Sequence, residues 1–271
     1  MDSQTLAATA AYLSVGLGAG FVAGLLGIGG GIVIVPLLLI IFSHLGYGDI
    51  DLVFPLATGT SLAVIVPTSA TSAWTHHHNG NVRWKSVLAL IPAGLAAVHG
   101  ASIVAMQTAG ATLRSAFGAL MIIACLQMLF FTPRQPAEGR PPPGWLTFLF
   151  IGALSGAISY FFGVGGGIVA VPLLVLLGRA PIHKAVGTSS ALIVFLALYG
   201  TGLNVWLGRS EAGLPAHTFG YVHLVAAGCL MPTSILMARA GALVANVAPA
   251  ALLRRVFALL LGAEGIRLLV G

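Results

Sequence analysis

Apolar residues dominate long, nearly charge-free stretches of this chain. Runs of about 20 residues recur over roughly 6–27, 52–75, 86–107, 113–131, 146–162, 185–207, 218–238 and 250–270. As helices rising 1.5 Å per residue, each can cross a hydrocarbon core of about 30 Å. The runs lack the apolar/polar alternation that strands of a transmembrane barrel require. The pattern therefore predicts an all-α polytopic membrane protein.

Residues 6–42 are too long for one span, because a single helix of that length would reach about 55 Å. Gly27-Ile28-Gly29-Gly30-Gly31 interrupts the run, and three consecutive glycines each disfavour helix by about 1 kcal/mol. A helix, a break and a shorter helical piece over about 32–42 follow from this. Residues 146–178 repeat the arrangement around Gly163–Gly167. About eight full spans plus two short half-helices are expected.

The two breaks belong to an internal repeat. Residues 27–36 and 163–172 are identical at eight of ten positions, at an offset of 163 − 27 = 136. The segment Ala57–Ala63 answers Ala185–Ala191 at an offset of 128, sharing Gly-Thr-Ser. Gly80/Gly220, Val82/Val222, Pro92/Pro232, Leu113/Leu253, Arg114/Arg254 and Phe117/Phe257 align at 140. Residues 1–131 form the first membrane repeat and 146–271 the second. Residues 132–145, with Arg134, Glu138, Arg140 and three consecutive prolines from Pro141, read as a linker.

Composition agrees, since only 7% of the 271 residues are charged and 58% are hydrophobic. A soluble domain carries about a quarter charged residues. Charge also orients the repeats. If each short piece counts as a crossing, Arg83, Lys85, Arg134, Arg140, Arg179, Lys184, Arg239, Arg254 and Arg255 share one side. Arg114, Arg209 and Arg267 fall on the other, a split of 9 to 3. Without the short pieces the copies are parallel and the split is 6 to 6. The positive-inside rule favours inverted repeats, a cytoplasmic linker and both termini periplasmic in a bacterial inner membrane. The net charge of +6 is thus an orientation signal, not one for nucleic acid. The first apolar stretch follows Asp2 without a basic n-region, so it is expected to stay rather than be cleaved. Cys125 and Cys229 lie in apolar segments and read as small buried hydrophobes; a disulfide or thiol chemistry is the alternative.

Broken helices in inverted repeats are the recurring plan of secondary transporters, with the substrate near the midplane. A helix starting in mid-membrane points free N–H groups and a partial positive charge at its surroundings. Glycine lets an anion approach that backbone. Gly29, Gly30, Gly31 and Gly165, Gly166, Gly167 are therefore candidate anion cradles. Close helix packing is the competing account of the same glycines. A dinucleotide loop is a poor fit, since no strand precedes either block. Thr60, Ser61, Thr188 and Ser189 are candidate hydroxyl donors, unless they bond back onto their own helices.

Among the acids only Glu264 falls inside an expected span, and Arg267 three residues on can pair with it. Cation transporters and proton relays usually need buried carboxylates or histidines. A small anionic substrate held without metal or cofactor fits this inventory better. The run His76-His77-His78 reads as a solvated cytoplasmic loop rather than a metal site, and His99 and His223 as structural residues. A passive anion channel stays open as an alternative. So does an intramembrane hydrolase using Ser61 or Ser189 with His99 or His223. The oligomeric state is open, and a homo-oligomer is compatible with the pattern.

At these residues the chain resembles the TauE/SafE sulfite exporter family, also described as four-toluene sulfonate uptake permeases. Residues 27–36, their copy at 163–172, and the following Ala-x-Gly-Thr-Ser blocks at 57–61 and 185–189 carry the resemblance. It implies movement of small sulfur-containing anions such as sulfite or sulfonates. One asymmetry stands out: Ser159-Tyr160-Phe161-Phe162 replaces Ala23-Gly24-Leu25-Leu26, which could set an aromatic wall beside the site.

Overall fold

The computed structural model describes residues 3–130, 143–244 and 250–270, and every regular element in them is helical. The first copy holds α1 (Ser3–Leu26), α2 (Gly31–His44), α3 (Ile50–His78), α4 (Trp84–Met106) and α5 (Gly110–Phe130). The second holds α6 (Trp145–Phe162), α7 (Gly167–Leu176), α8 (Ile182–Leu207), α9 (Leu224–Val244) and α10 (Ala250–Val270). Seven of the long helices, α1, α3, α4, α5, α6, α8 and α9, are apolar enough to cross a membrane. α10 has the length but carries Arg254, Arg255, Glu264 and Arg267. The glycine breaks separate α1 from α2 and α6 from α7, as their sequence requires. The short pieces α2 and α7 have 14 and 10 residues. Most of the expected linker, residues 132–142 with Arg134, Glu138 and Arg140, lies outside the described residues.

One boundary differs. The run at 218–238 was expected to be a span, yet α9 begins only at Leu224. Residues 218–223 instead fold back as irregular chain, with a single bridge between Thr218 and His223. Gly220 at φ 55° makes the bend.

Packing pairs the two copies element by element. α1 lies against α9 as α6 lies against α4, while α3 pairs with its own counterpart α8, and α5 with α10. Small residues let these backbones touch, as is usual between membrane helices. Gly16, Gly20 and Gly24 of α1 meet Leu230, Ser234 and Ala238 in ascending order, so α1 and α9 run parallel. Gly152 and Gly156 of α6 meet Leu90 and Gly94 in the same sense. By contrast Leu62 of α3 reaches Gly200 of α8, whereas Ser72 bonds Ser190 at 3.1 Å, so this central pair is antiparallel. α5 and α10 are antiparallel too, with Gly118 near Leu269 and Cys125 near Gly262. Parallel repeats would align α3 with α8; the observed directions are those an inverted repeat requires.

Candidate functional site

The centre of the molecule is built from the two glycine breaks. Gly30 (φ 77°) caps the N-terminus of α2 and Gly166 (φ 81°) that of α7, both left-handed, a conformation that side chains resist. The chain doubles back there: a Cβ on Gly30 would strike the Ala19 carbonyl, and one on Gly166 the Ser155 carbonyl. The breaks then pass each other in opposite directions. Gly31 abuts the Gly163 carbonyl, and a Cβ on Gly167 would lie 2.7 Å from the Gly27 oxygen. α2 and α7 therefore begin near one another and run away to opposite ends. Glycine at these positions does allow close packing. None of the amides of Gly29, Gly30, Gly31, Gly165, Gly166 and Gly167 has a backbone partner among the hydrogen bonds of the described residues. Two helix N-termini, each equivalent to roughly half a positive charge, thus meet inside the protein.

The Gly-Thr-Ser segments hold this junction in place. Ser61 Oγ donates to the Gly163 carbonyl at 2.7 Å, and Ser189 Oγ to the Gly27 carbonyl at 3.0 Å. Thr60 Oγ1 accepts the His223 N–H at 2.9 Å while donating to Leu56 at 2.6 Å. Thr188 Oγ1 accepts the Arg83 N–H at 3.1 Å. Gly59 makes room for the Tyr221 carbonyl and Gly187 for that of Asn81. Each motif thus reads as one unit: glycine admits the returning loop, threonine accepts its N–H, and serine reaches the other copy's break. All ten sequence candidates are buried in this one cluster. The Thr60 hydrogen bonds back onto its own helix, the alternative the sequence left open, whereas the Ser61 and Ser189 hydrogens are engaged by carbonyls of the other copy.

Other candidates are placed differently from expectation. His76, His77 and His78 form the last turn of α3 rather than a loop. Successive helix residues point about 100° apart, so His77 and His78 are exposed while His76 is buried, its Nε2 3.3 Å from the Gly24 carbonyl. Nearer the start of that helix Asp51 sits in the first turn, its Oδ1 accepting the Gly110 N–H at 2.6 Å. His223 lies in the returning loop, where its Nδ1 accepts the Ala226 N–H at 3.1 Å. Burial pushes its imidazole down to about 4, the neighbouring His217 adding to the effect. Ser61 and Ser189 are bonded to carbonyls, and no serine hydroxyl bonds a histidine ring among the described residues. Glu264 and Arg267 do pair, at 3.6 Å. Among the described residues no three His, Cys, Asp or Glu side chains gather as a metal site would need.

A cavity of about 640 Å³ opens where the α2–α3, α4–α5 and α8–α9 connections lie. Asp49, Asp51 and Glu211 stand at its mouth, and buried Thr58, Tyr160 and Asn204 line its depth with Phe161. Thr58 is also the residue packed on Gly163, 2.7 Å from a Cβ built there, so the cavity ends beside the second break. Tyr160 and Phe161 come from the stretch in which the copies differ, and Phe162 stacks on Phe117 at 5.5 Å instead. At the opposite end His76 and Gly24 occupy the positions related to Asn204 and Tyr160, and there they pack together.

The sequence profile described as sulfite exporter TauE/SafE matches residues 12–268. A Haemophilus influenzae protein described as a "Probable membrane transporter protein" is 31% identical over 249 residues, covering 92% of this chain and 93% of the relative. A Xylella fastidiosa protein with the same description is 30% identical over 76% of each chain. One from Methanocaldococcus jannaschii, also described as a membrane transporter, is 29% identical over 77% of this chain and 73% of its own. No solved structure matches the chain.

Proposed function

The chain belongs to the TauE/SafE sulfite exporter family and is a multi-pass membrane transporter; from that premise we propose that it is a secondary carrier of small oxyanions, such as sulfite, sulfonates or related organic anions. The observation that carries the reading is the junction of α2 and α7, two helix N-termini at buried glycines whose amides have no partner in the backbone bonds among the described residues. The amides of Gly29, Gly30, Gly31, Gly165, Gly166 and Gly167 would contact the anion. Thr60, Ser61, Thr188 and Ser189 would hold those amides in position through the bonds described above.

A cavity that ends at Thr58 beside the second break, with packed chain at the related place, supports a carrier over an open channel. The basic end, with Arg83, Lys85, Arg179 and Lys184, would face the cytoplasm of a bacterial inner membrane. The cavity mouth and both termini would then be periplasmic. Flux of sulfite, thiosulfate, methanesulfonate and small carboxylates into proteoliposomes tests the reading. Saturable uptake of at least one sulfur oxyanion is expected, abolished by Gly166→Leu; a panel without flux overturns it.

A further inference from the structure

The two breaks are not chemically equal. Ser155 and Ser159 of α6 are buried, at 0% and 1% exposure, and neither hydroxyl has a hydrogen-bond partner among the described residues. A buried polar group without a partner is costly, so such hydroxyls call for a ligand. Both lie on the side of α6 that meets the start of α7. The Ser155 backbone is what a Cβ on Gly166 would strike. The position of Ser159 corresponds to Ala23 (159 − 136 = 23), whose Cβ lies 3.2 Å from a Cβ built on Gly30. In the first copy the related residues are Ala19 and Ala23, which have nothing to donate.

Direction adds a second distinction. α7 runs toward the end that holds Arg179 and Lys184, so its N-terminus faces the end where the cavity opens. That cavity is lined by Tyr160, next to Ser159, and by Thr58, which packs on Gly163. The α2 N-terminus faces the other way.

We propose that the anion binds asymmetrically, at the α7 N-terminus of the second copy, with the Ser155 and Ser159 hydroxyls donating to its oxygens beside the Gly166 and Gly167 amides. The first break, flanked by alanines, can offer backbone amides alone and is not a second equal site. The ligand class is a small tetrahedral or pyramidal oxyanion, whose several acceptor oxygens can take amides on one side and hydroxyls on another. This rests on the anion-carrier reading and refines where the anion sits.

Binding of radiolabelled sulfite and of methanesulfonate to the full chain in nanodiscs tests it. Ser155→Ala and Ser159→Ala should each weaken binding roughly ten- to a hundredfold, the effect of one hydrogen bond to a charged group. Ser159→Cys, close in volume with a weak donor, serves if an alanine variant does not fold. Ala19→Ser with Ala23→Ser should leave affinity within about twofold. A parent that binds either anion while the serine variants bind equally well overturns the asymmetric site alone. A change in affinity of tenfold or more on placing serines in the first copy also overturns it. A parent that binds neither anion overturns the carrier reading together with this inference.

Discussion

Thr60 shows how one hydroxyl ties a helix to a loop of the other copy. It donates to Leu56 on its own helix and accepts the His223 N–H from the loop that follows α8. Thr60→Val keeps the shape but leaves that buried N–H without an acceptor, a loss of about 1–3 kcal/mol. The melting temperature in detergent should fall accordingly, and Thr188→Val, which strands the Arg83 N–H, should behave alike. Thr201 is the control, since its hydroxyl bonds only to Ala197 on its own helix. Thr201→Val should shift the melting temperature far less; equal shifts for all three would mean that the loop contacts contribute nothing. His223 adds a pH dependence. Its imidazole is held low, at about 4, whereas an unfolded histidine titrates near 6.5. The folded state therefore binds fewer protons between these values, and stability should decline as pH falls from about 6.5 to 4. His223→Asn should flatten that decline in a thermal-melt series.

At the level of elements, glycine has separate roles that substitution can tell apart. Gly30 needs a left-handed backbone and sits on the Ala19 carbonyl, whereas Gly100 lies in exposed helix with open space around it. Gly30→Ala should destabilise the fold and reduce transport. Gly100→Ala should be neutral or stabilising by up to about 1 kcal/mol, as measured by thermal melting. The breaks themselves were legible in the sequence because no helix of 55 Å fits a bilayer and glycine runs disfavour helix. The half-helices and the pairing of related motifs followed from the repeat. What stayed hidden was set by tertiary contact. Sequence showed that Gly59-Thr60-Ser61 was duplicated, but not that its threonine faces a returning loop and its serine the opposite break. The start of α9 is hidden in the sequence because residues 218–223 are apolar enough to pass for a span while bending at Gly220. A run of three histidines looks polar and solvated, yet helix geometry turns His76 inward. In sequence Ser159 stands out only as part of an aromatic difference, since nothing local signals an unpartnered hydroxyl.

The molecule as a whole is polarised. Asp49, Asp51 and Glu211 gather at the cavity end, while Arg83, Lys85, Arg179 and Lys184 occupy the other. With Cys125 and Cys229 replaced by alanine, exposed Gln107→Cys should react with an impermeant thiol reagent from the periplasm. His78→Cys should react only after the membrane is opened; the reverse pattern would invert the proposed orientation. The exchange of bonds between the copies also governs how the chain comes into being. The Gly27 carbonyl waits for Ser189, and the Arg83 N–H waits for Thr188, more than a hundred residues later. During synthesis the first half therefore sits in the bilayer with backbone groups unmatched, a state that lipid penalises. Maturation is then a single closing event rather than two successive ones, and the nascent amino-terminal half must be tolerated, or shielded by insertion factors, until its complement emerges. Separately expressed fragments 1–131 and 146–271 should each be degraded alone yet accumulate and copurify when made in the same cell.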